Sequence, residues 1–187
     1  ISIVDAEGNA VAVTTTLNGG YGSYTVVRGA GFLLNNEMDD FSVKPGAPNM
    51  YGLVGGAANK IEPGKRMLSS MTPTIIEKDG KLKMVVGTPG GSTIITSVFQ
   101  TITNVIDFGM DADKAVQSPR FHHQWLPDEI QFEKDFGSDL TRSDLKKMGY
   151  TIKDISDFGR VDAIMLDENG NMTAHTDMRG YGFSSGF

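Results

Sequence analysis

A chain of 187 residues, 39% hydrophobic and 21% charged, has the length and apolar content of one globular domain. Its formal net charge of -6 argues against a nucleic-acid partner, because affinity for phosphates rests on clustered Lys and Arg. The lack of cysteine excludes disulfides, thiol catalysis and Cys-ligated zinc, and no apolar run approaches the roughly 20 residues a helix needs to cross a bilayer.

The first residue is Ile1 rather than an initiator Met, and Ile1, Ile3 and Val4 already alternate, so the chain reads as cut or trimmed within a strand. That strand opens a hairpin over Ile1 to Thr16, turning at Asp5-Ala6-Glu7-Gly8-Asn9. Thr14, Thr15 and Thr16 suit its second strand, and Asn18 a turn. Next, Leu33-Leu34 runs into Asn35-Asn36-Glu37-Met38-Asp39-Asp40-Phe41. Carboxylates at a strand end suit a substrate ammonium, and Asx residues equally start turns and cap strands. Between Met38 and Met71, Pro45, Gly46, Pro48, Gly52, Gly55, Gly56, Pro63 and Gly64 break regular structure. A loop of this length inside a compact domain reads as a lid or binding loop. At its end Ser69 and Ser70 enter a strand; their hydroxyls suit a carboxylate, but no Gly-x-Ser-x-Gly elbow marks a nucleophile.

A second hairpin spans Pro73 to Val86, turning at Glu77-Lys78-Asp79-Gly80. Its buried strand continues through Gly87-Thr88-Pro89 into Gly90-Gly91 and then a helix over Ser92 to Phe108. Two glycines ahead of a helix can aim N–H groups at an anion or oxyanion, or simply make a tight strand-to-helix turn. No Lys follows them, which removes a phosphate-binding loop. Further helices are expected over Ala112 to Gln117 and over Ser138 to Met148, the latter capped by Ser138 and stopped by Gly149. Between them Phe121-His122-His123-Gln124-Trp125 suggests a metal, but adjacent His residues in a strand face opposite ways and only His175 remains as a further ligand, so no metal is assigned. A third hairpin, Val161 to His175, turns at Asp167-Glu168-Asn169-Gly170. The order β-β, long loop, β-β-α-α, β, α, β-β argues an α+β fold in one domain, 1–187.

Taken together and in order, Asn35 to Phe41, Pro48-Asn49-Met50-Tyr51-Gly52-Leu53-Val54-Gly55-Gly56, Leu68-Ser69-Ser70-Met71-Thr72-Pro73-Thr74, Gly87 to Ser92 and Pro119-Arg120-Phe121-His122-His123-Gln124-Trp125-Leu126-Pro127-Asp128-Glu129 resemble the small, C-terminal subunit of γ-glutamyltransferases, which are N-terminal-nucleophile hydrolases. The resemblance extends across nearly the whole chain. It implies an αββα sandwich, two antiparallel sheets between helical layers, completed by a large subunit cut autocatalytically from the same precursor. It implies an enzyme that needs no cofactor and cleaves γ-glutamyl amides such as glutathione, passing the γ-glutamyl group to water, amino acids or peptides.

In the family the small subunit begins Thr-Thr-His or similar, and that first Thr is the nucleophile, its own α-amine assisting proton transfer. The tripeptide does not precede Ile1 here, so the nucleophile is expected about three residues upstream, and the chain from Ile1 is expected to be inactive alone. Carried over residue by residue, the resemblance implies that Asn18, Glu37 and Asp40 hold the substrate α-amino group and that Ser69 and Ser70 help hold its α-carboxylate. Gly90 with Gly91 would form the oxyanion hole, Thr16 would bond the nucleophile's hydroxyl, and Tyr51 would tip a lid within 38–71. A periplasmic or extracellular location is likewise implied by the resemblance.

Overall fold

The structure, a computed structural model, describes residues 1–186. The chain, which reads as one domain in sequence, forms two compact units, one of Ile1–Thr14 with Met71–Phe187 and the other of Thr15–Ser70.

In the larger unit, β1 (Ser2–Val4) and β2 (Ala10–Ala12) make a two-stranded antiparallel sheet. The expected hairpin is therefore present, but its second strand stops at Ala12, and Thr14 to Thr16 lie outside it. A four-stranded antiparallel sheet runs β3 (Thr74–Lys78), β4 (Lys81–Gly87), β8 (Asp162–Leu166), β9 (Met172–Thr176). The β3–β4 turn is two residues long, Asp79 and Gly80, with φ of 53° and 71°, the left-handed pair that matches strand twist. The turns at Asp5 and Asp167 share one local device. In each, the Asp carboxylate accepts the backbone N–H two and four residues on and the side-chain amide of that fourth residue, Asn9 or Asn171. Gly8 and Gly170, at φ 87° and 84°, close the two turns.

Strand β4 lies at the centre of the core. Met84 and Val86 point to one face and pack with Ile94 and Val98 of α1 (Ile94–Ile106), Val116 of α2 (Ala112–Gln117) and Ala163 of β8. Val85, also fully buried, points to the other face, where the β1–β2 sheet lies against β4 and β8. The result is helices on one side of a sheet and a second antiparallel sheet on the other, the α+β layering expected from sequence. Each fully buried Val or Met contributes ~1.5–3 kcal/mol, so a charge at Val86 would break this unit. The outer faces remain apolar: Ile95, Phe99 and Ile106 of α1 are 51%, 62% and 62% exposed, and Ile3 and Val11, paired across β1 and β2, are 53% and 47% exposed.

A third sheet runs β5 (Phe121–His122), β6 (Ile130–Glu133), β7 (Ile152–Ile155), and its β6–β7 pair is parallel. The sequence order contains one strand in this region before the last helix and none between it and the final hairpin. These strands of two to four residues are too short to show alternation. The crossover between β6 and β7 is α3 (Asp139–Lys147), whose Ser138 cap accepts the Thr141 N–H at 3.2 Å. No helix among the described residues is long and apolar enough to cross a membrane.

The smaller unit has little regular structure: two 3-10 turns, Glu37–Asp40 and Ala57–Asn59, and isolated bridges Val26–Leu33, Ser42–Lys60 and Pro48–Val54. Buried Phe41 and Ser42 sit at its centre. Turn-type backbone bonds here are supplemented by Asn and Asp side chains, which bond backbone groups where no strand ladder runs.

Candidate active site

The smaller unit gathers Asn18, Glu37, Asp40 and Tyr51. Asn18 sits at φ 70°, a left-handed position that Asn tolerates, and its N–H bonds the Thr16 hydroxyl at 2.8 Å. Thr16 therefore forms a turn around Asn18. The Asn18 amide donates to the Asn36 carbonyl at 3.1 Å, and the Asn36 side chain accepts the Gly19 N–H at 2.8 Å. Asn36 thus fixes the segment that carries Asn18.

Glu37 and Asp40 occupy one 3-10 turn, so their carboxyls come together. Burial, then a hydrogen bond and repulsion from Asp40, raises the Glu37 carboxyl above the usual carboxylate range. Burial also raises Asp40, with Asp39 adding to the shift although the bond to Glu37 opposes it. A crowded acidic pair of this kind gains from an arriving cation, which relieves the repulsion and donates charge-assisted bonds.

The loop from Pro45 to Gly56 folds back so that the Tyr51 hydroxyl donates to the Asn18 carbonyl at 2.8 Å. Burial and the charges of Asp40, Glu37 and Asp39 raise the Tyr51 phenol, keeping it a donor. Asn49 shapes the loop tip, its side-chain oxygen accepting the N–H of Tyr51 and of Leu53 at 3.0 Å each, while Asp39 accepts the Met50 N–H at 3.0 Å. A cavity of about 300 Å3 in this unit is lined by Asp40, Ser42, Asn49, Asn59, Leu68 and Ser70 among others. Ser70 is half-buried at its wall and Ser69 is exposed.

Gly90 and Gly91 belong to the larger unit. Gly90 lies at φ 145° and Gly91 at φ 56°, both in the glycine-favoured half of conformational space. Gly91 opens a 3-10 turn, Gly91–Thr93, that leads directly into α1, and first-turn N–H groups have no partner one turn back. The Thr93 hydroxyl pins the turn by donating to the Gly90 carbonyl at 2.8 Å. Behind it the Thr88 hydroxyl accepts the Arg160 N–H at 2.6 Å, and a groove of about 310 Å3 runs between Gly90 and residues 157–160.

His122 ends β5 and His123 lies just beyond it, and the two side chains take separate partners. His122 is buried between the Thr96 hydroxyl, 2.8 Å from Nδ1, and the Gln124 oxygen, 2.9 Å from Nε2; burial lowers its pKa. His123 bonds Asp128, and His175 lies 3.4 Å from Asp113. The three His residues serve three separate structural contacts, and no group of three or more acidic or His side chains among the described residues could hold a metal.

The sequence reading missed Asn36 and Asn49. Each works through backbone groups, and Asn in a breaker-rich loop carries no signal beyond turn propensity.

Two antiparallel sheets layered against helices, with a glycine turn feeding the core helix, define the fold of the N-terminal-nucleophile hydrolases. The family model described as gamma-glutamyltranspeptidase matches residues 1–187. The chain is 52% identical over 178 residues to the glutathione hydrolase proenzyme of Escherichia coli K12, covering 95% of this chain and 30% of that one. It is 53% identical over 184 residues to the Pseudomonas aeruginosa glutathione hydrolase proenzyme, covering 97% and 33%. A crystal structure of a mutant Helicobacter pylori γ-glutamyltranspeptidase is similar with a TM-score of 0.92 at 54% identity, covering 96% of this chain and 98% of that chain. The protein therefore belongs to the γ-glutamyltranspeptidase family. It spans about a third of the length of the curated relatives it matches.

Proposed function

We propose that this chain is the small subunit of an enzyme that cleaves γ-glutamyl amides such as glutathione and passes the γ-glutamyl group to water, amino acids or peptides. The observation that carries this reading is the Glu37–Asp40 pair beside Asn18, two crowded carboxyls on one turn to which a substrate ammonium can donate charge-assisted bonds. Ser69 and Ser70 supply hydroxyls for the α-carboxylate, so a zwitterionic amino-acid head meets one acidic and one donor-rich wall.

In this reading an N-terminal Thr ahead of Ile1 attacks the γ-carbonyl. Its α-amine takes the hydroxyl proton and delivers it to the leaving amine as the C–N bond breaks. The N–H groups of Gly90 and Gly91 receive the oxyanion, each such donor contributing about 3 kcal/mol. Water or an acceptor amine then attacks the ester and releases the Thr hydroxyl. Thr16 orients that hydroxyl, and 38–71 with Tyr51 at its tip acts as lid over the γ-glutamyl pocket.

A large subunit from the same precursor is the expected partner. The exposed apolar side chains on the outer faces of α1 and of the β1–β2 sheet support this, because apolar side chains grouped on an outer face suit a protein partner. A periplasmic or extracellular location is part of the same proposal.

The test is to express the full precursor, follow self-cleavage by intact mass, and measure anilide release from a γ-glutamyl anilide. Cleavage exposing Thr together with turnover is expected. An uncleaved precursor that releases nothing would remove the reading.

A further inference from the structure

Asn59 ends the 3-10 turn Ala57–Asn59 and has no role in the proposed reaction itself. Its side chain nevertheless touches the backbone of both walls of the pocket. Nδ2 donates to the Asp40 carbonyl at 2.7 Å, and Oδ1 accepts the Leu68 N–H, directly before Ser69 and Ser70, at 3.1 Å. Both partners are backbone groups of one polarity only, so the amide has a single satisfying orientation. Its own backbone is anchored too: the Asn59 carbonyl accepts the Ser42 N–H at 2.9 Å and its N–H donates to Gly56 at 3.2 Å. Asp40, Asn59, Leu68 and Ser70 all line the 300 Å3 cavity.

We propose that Asn59 is a positioning residue that sets the distance between the acidic wall at Asp40 and the hydroxyl wall at Ser69 and Ser70, and so selects substrates bearing both an α-ammonium and an α-carboxylate. Nineteen residues separate Asn59 from Asp40 and nine from Leu68, and among the described residues one isolated bridge, Ser42–Lys60, stands where a ladder would join the first pair of segments, with none to the segment of Leu68. One amide does what a ladder would do elsewhere. Few other side chains can replace it. Asp keeps the acceptor toward Leu68 but sets an anion against the Asp40 carbonyl, and Ser or Ala cannot span the two backbones.

This inference rests on the pocket reading above, and its test separates the two. In the assembled, self-cleaved enzyme, Asn59→Ala is compared with the parent on a γ-glutamyl anilide and on the glutaryl anilide, which lacks the α-amino group and needs only the carboxylate wall. Misplacing one wall is expected to raise KM for the γ-glutamyl substrate by roughly 10- to 100-fold with kcat changed less than about twofold, and to lower the preference over glutaryl by a similar factor. Asn59→Asp, which loses only the donor to Asp40, is expected to lose the preference as well. A parent without any γ-glutamyl preference overturns the pocket reading and this inference with it. A parent that discriminates, with variants that keep its ratio or lose both activities equally, overturns the inference alone. If Asn59→Ala yields no folded heterodimer, Asn59→Asp and Asn59→Ser are read in the same way; loss of folded protein in all three assigns Asn59 to the fold and also overturns it.

Discussion

The Tyr51 hydroxyl donates to the backbone carbonyl of Asn18 at 2.8 Å, which ties the tip of a breaker-rich loop to a residue of the acidic wall. Tyr51→Phe keeps the ring and removes this bond, worth about 1 kcal/mol net. Amide hydrogen exchange across 49–54 is therefore expected to speed up by about fivefold, with little change in global stability. Unchanged exchange would mean that the loop is held by Asn49 and Asp39 without help from the hydroxyl.

The acidic pair predicts a particular pH dependence. Burial, with repulsion from Asp40 on Glu37 and from Asp39 on Asp40, raises both carboxyls above the ordinary carboxylate range. The folded, unliganded protein then binds protons more readily than the unfolded chain, so the pair's contribution to stability is present at low pH and falls as pH rises through the raised values. A bound ammonium reverses this, because it requires the ionised form. KM for a γ-glutamyl donor should rise as pH drops through the raised pKa while kcat holds. Asp40→Asn should raise KM by roughly thirtyfold, about 2 kcal/mol for a charge-assisted bond, and flatten that dependence. A variant with the parent's pH profile would take the ammonium away from Asp40.

What could be read from sequence followed the range of the interactions involved. The hairpins at Asp5, Asp79 and Asp167 were legible because their turns are built within five residues, from a Gly and the Asp or Asn that folds back on it. Ser138 and Gly149 mark α3 for the same reason. Strands β6 and β7 were not, since Ile130 pairs with Ile152 only after a helix has carried the chain back. The walls of the pocket were visible as motifs, with Glu37 and Asp40 three apart and Ser69 beside Ser70. The Asn side chains that support them reach 17 to 19 residues along the chain, to Gly19, Asn36 and Asp40, and such clamps leave no periodicity to read.

Gly90 offers a sharper test of the proposed oxyanion turn. Its φ of 145° is strained for any other residue, and a Cβ would stand 2.7 Å from the Thr93 hydroxyl and 3.4 Å from the Gly159 Cα. Gly90→Ala should cost ~1–3 kcal/mol of stability and move the N–H groups that precede α1. In the assembled enzyme kcat is expected to fall by about 100-fold with KM changed little, the pattern of an interaction made only in the transition state. An equal loss through KM would place the turn in ground-state binding.

Behind that turn lies a buried charge network whose loss should be felt at a distance. Asp177 and Arg120 are each 1% exposed and pair at 2.7 Å, while Arg179 bridges Asp177 at 2.9 Å and Glu133 at 2.6 Å. Glu133 accepts the Phe158 N–H and Asp177 the Val161 N–H, at 2.9 and 3.1 Å, so the network fixes both ends of the segment whose Arg160 N–H bonds Thr88. Burial alone would raise the Asp177 carboxyl; Arg120 and the N–H groups of Arg179 and Val161 outweigh it and hold the group below the ordinary range. A depressed folded pKa gives stability that is present above the unfolded value and is lost as pH falls through the folded one. Asp177→Asn leaves the buried Arg120 guanidinium and the half-buried Arg179 short of charge and should cost roughly 3–5 kcal/mol at neutral pH, read from urea unfolding of the assembled enzyme. The deficit should shrink as the parent is acidified toward the depressed pKa, because the parent then loses the same charge. A deficit that stays constant with pH would assign the loss to packing around residue 177 rather than to its ionised carboxylate.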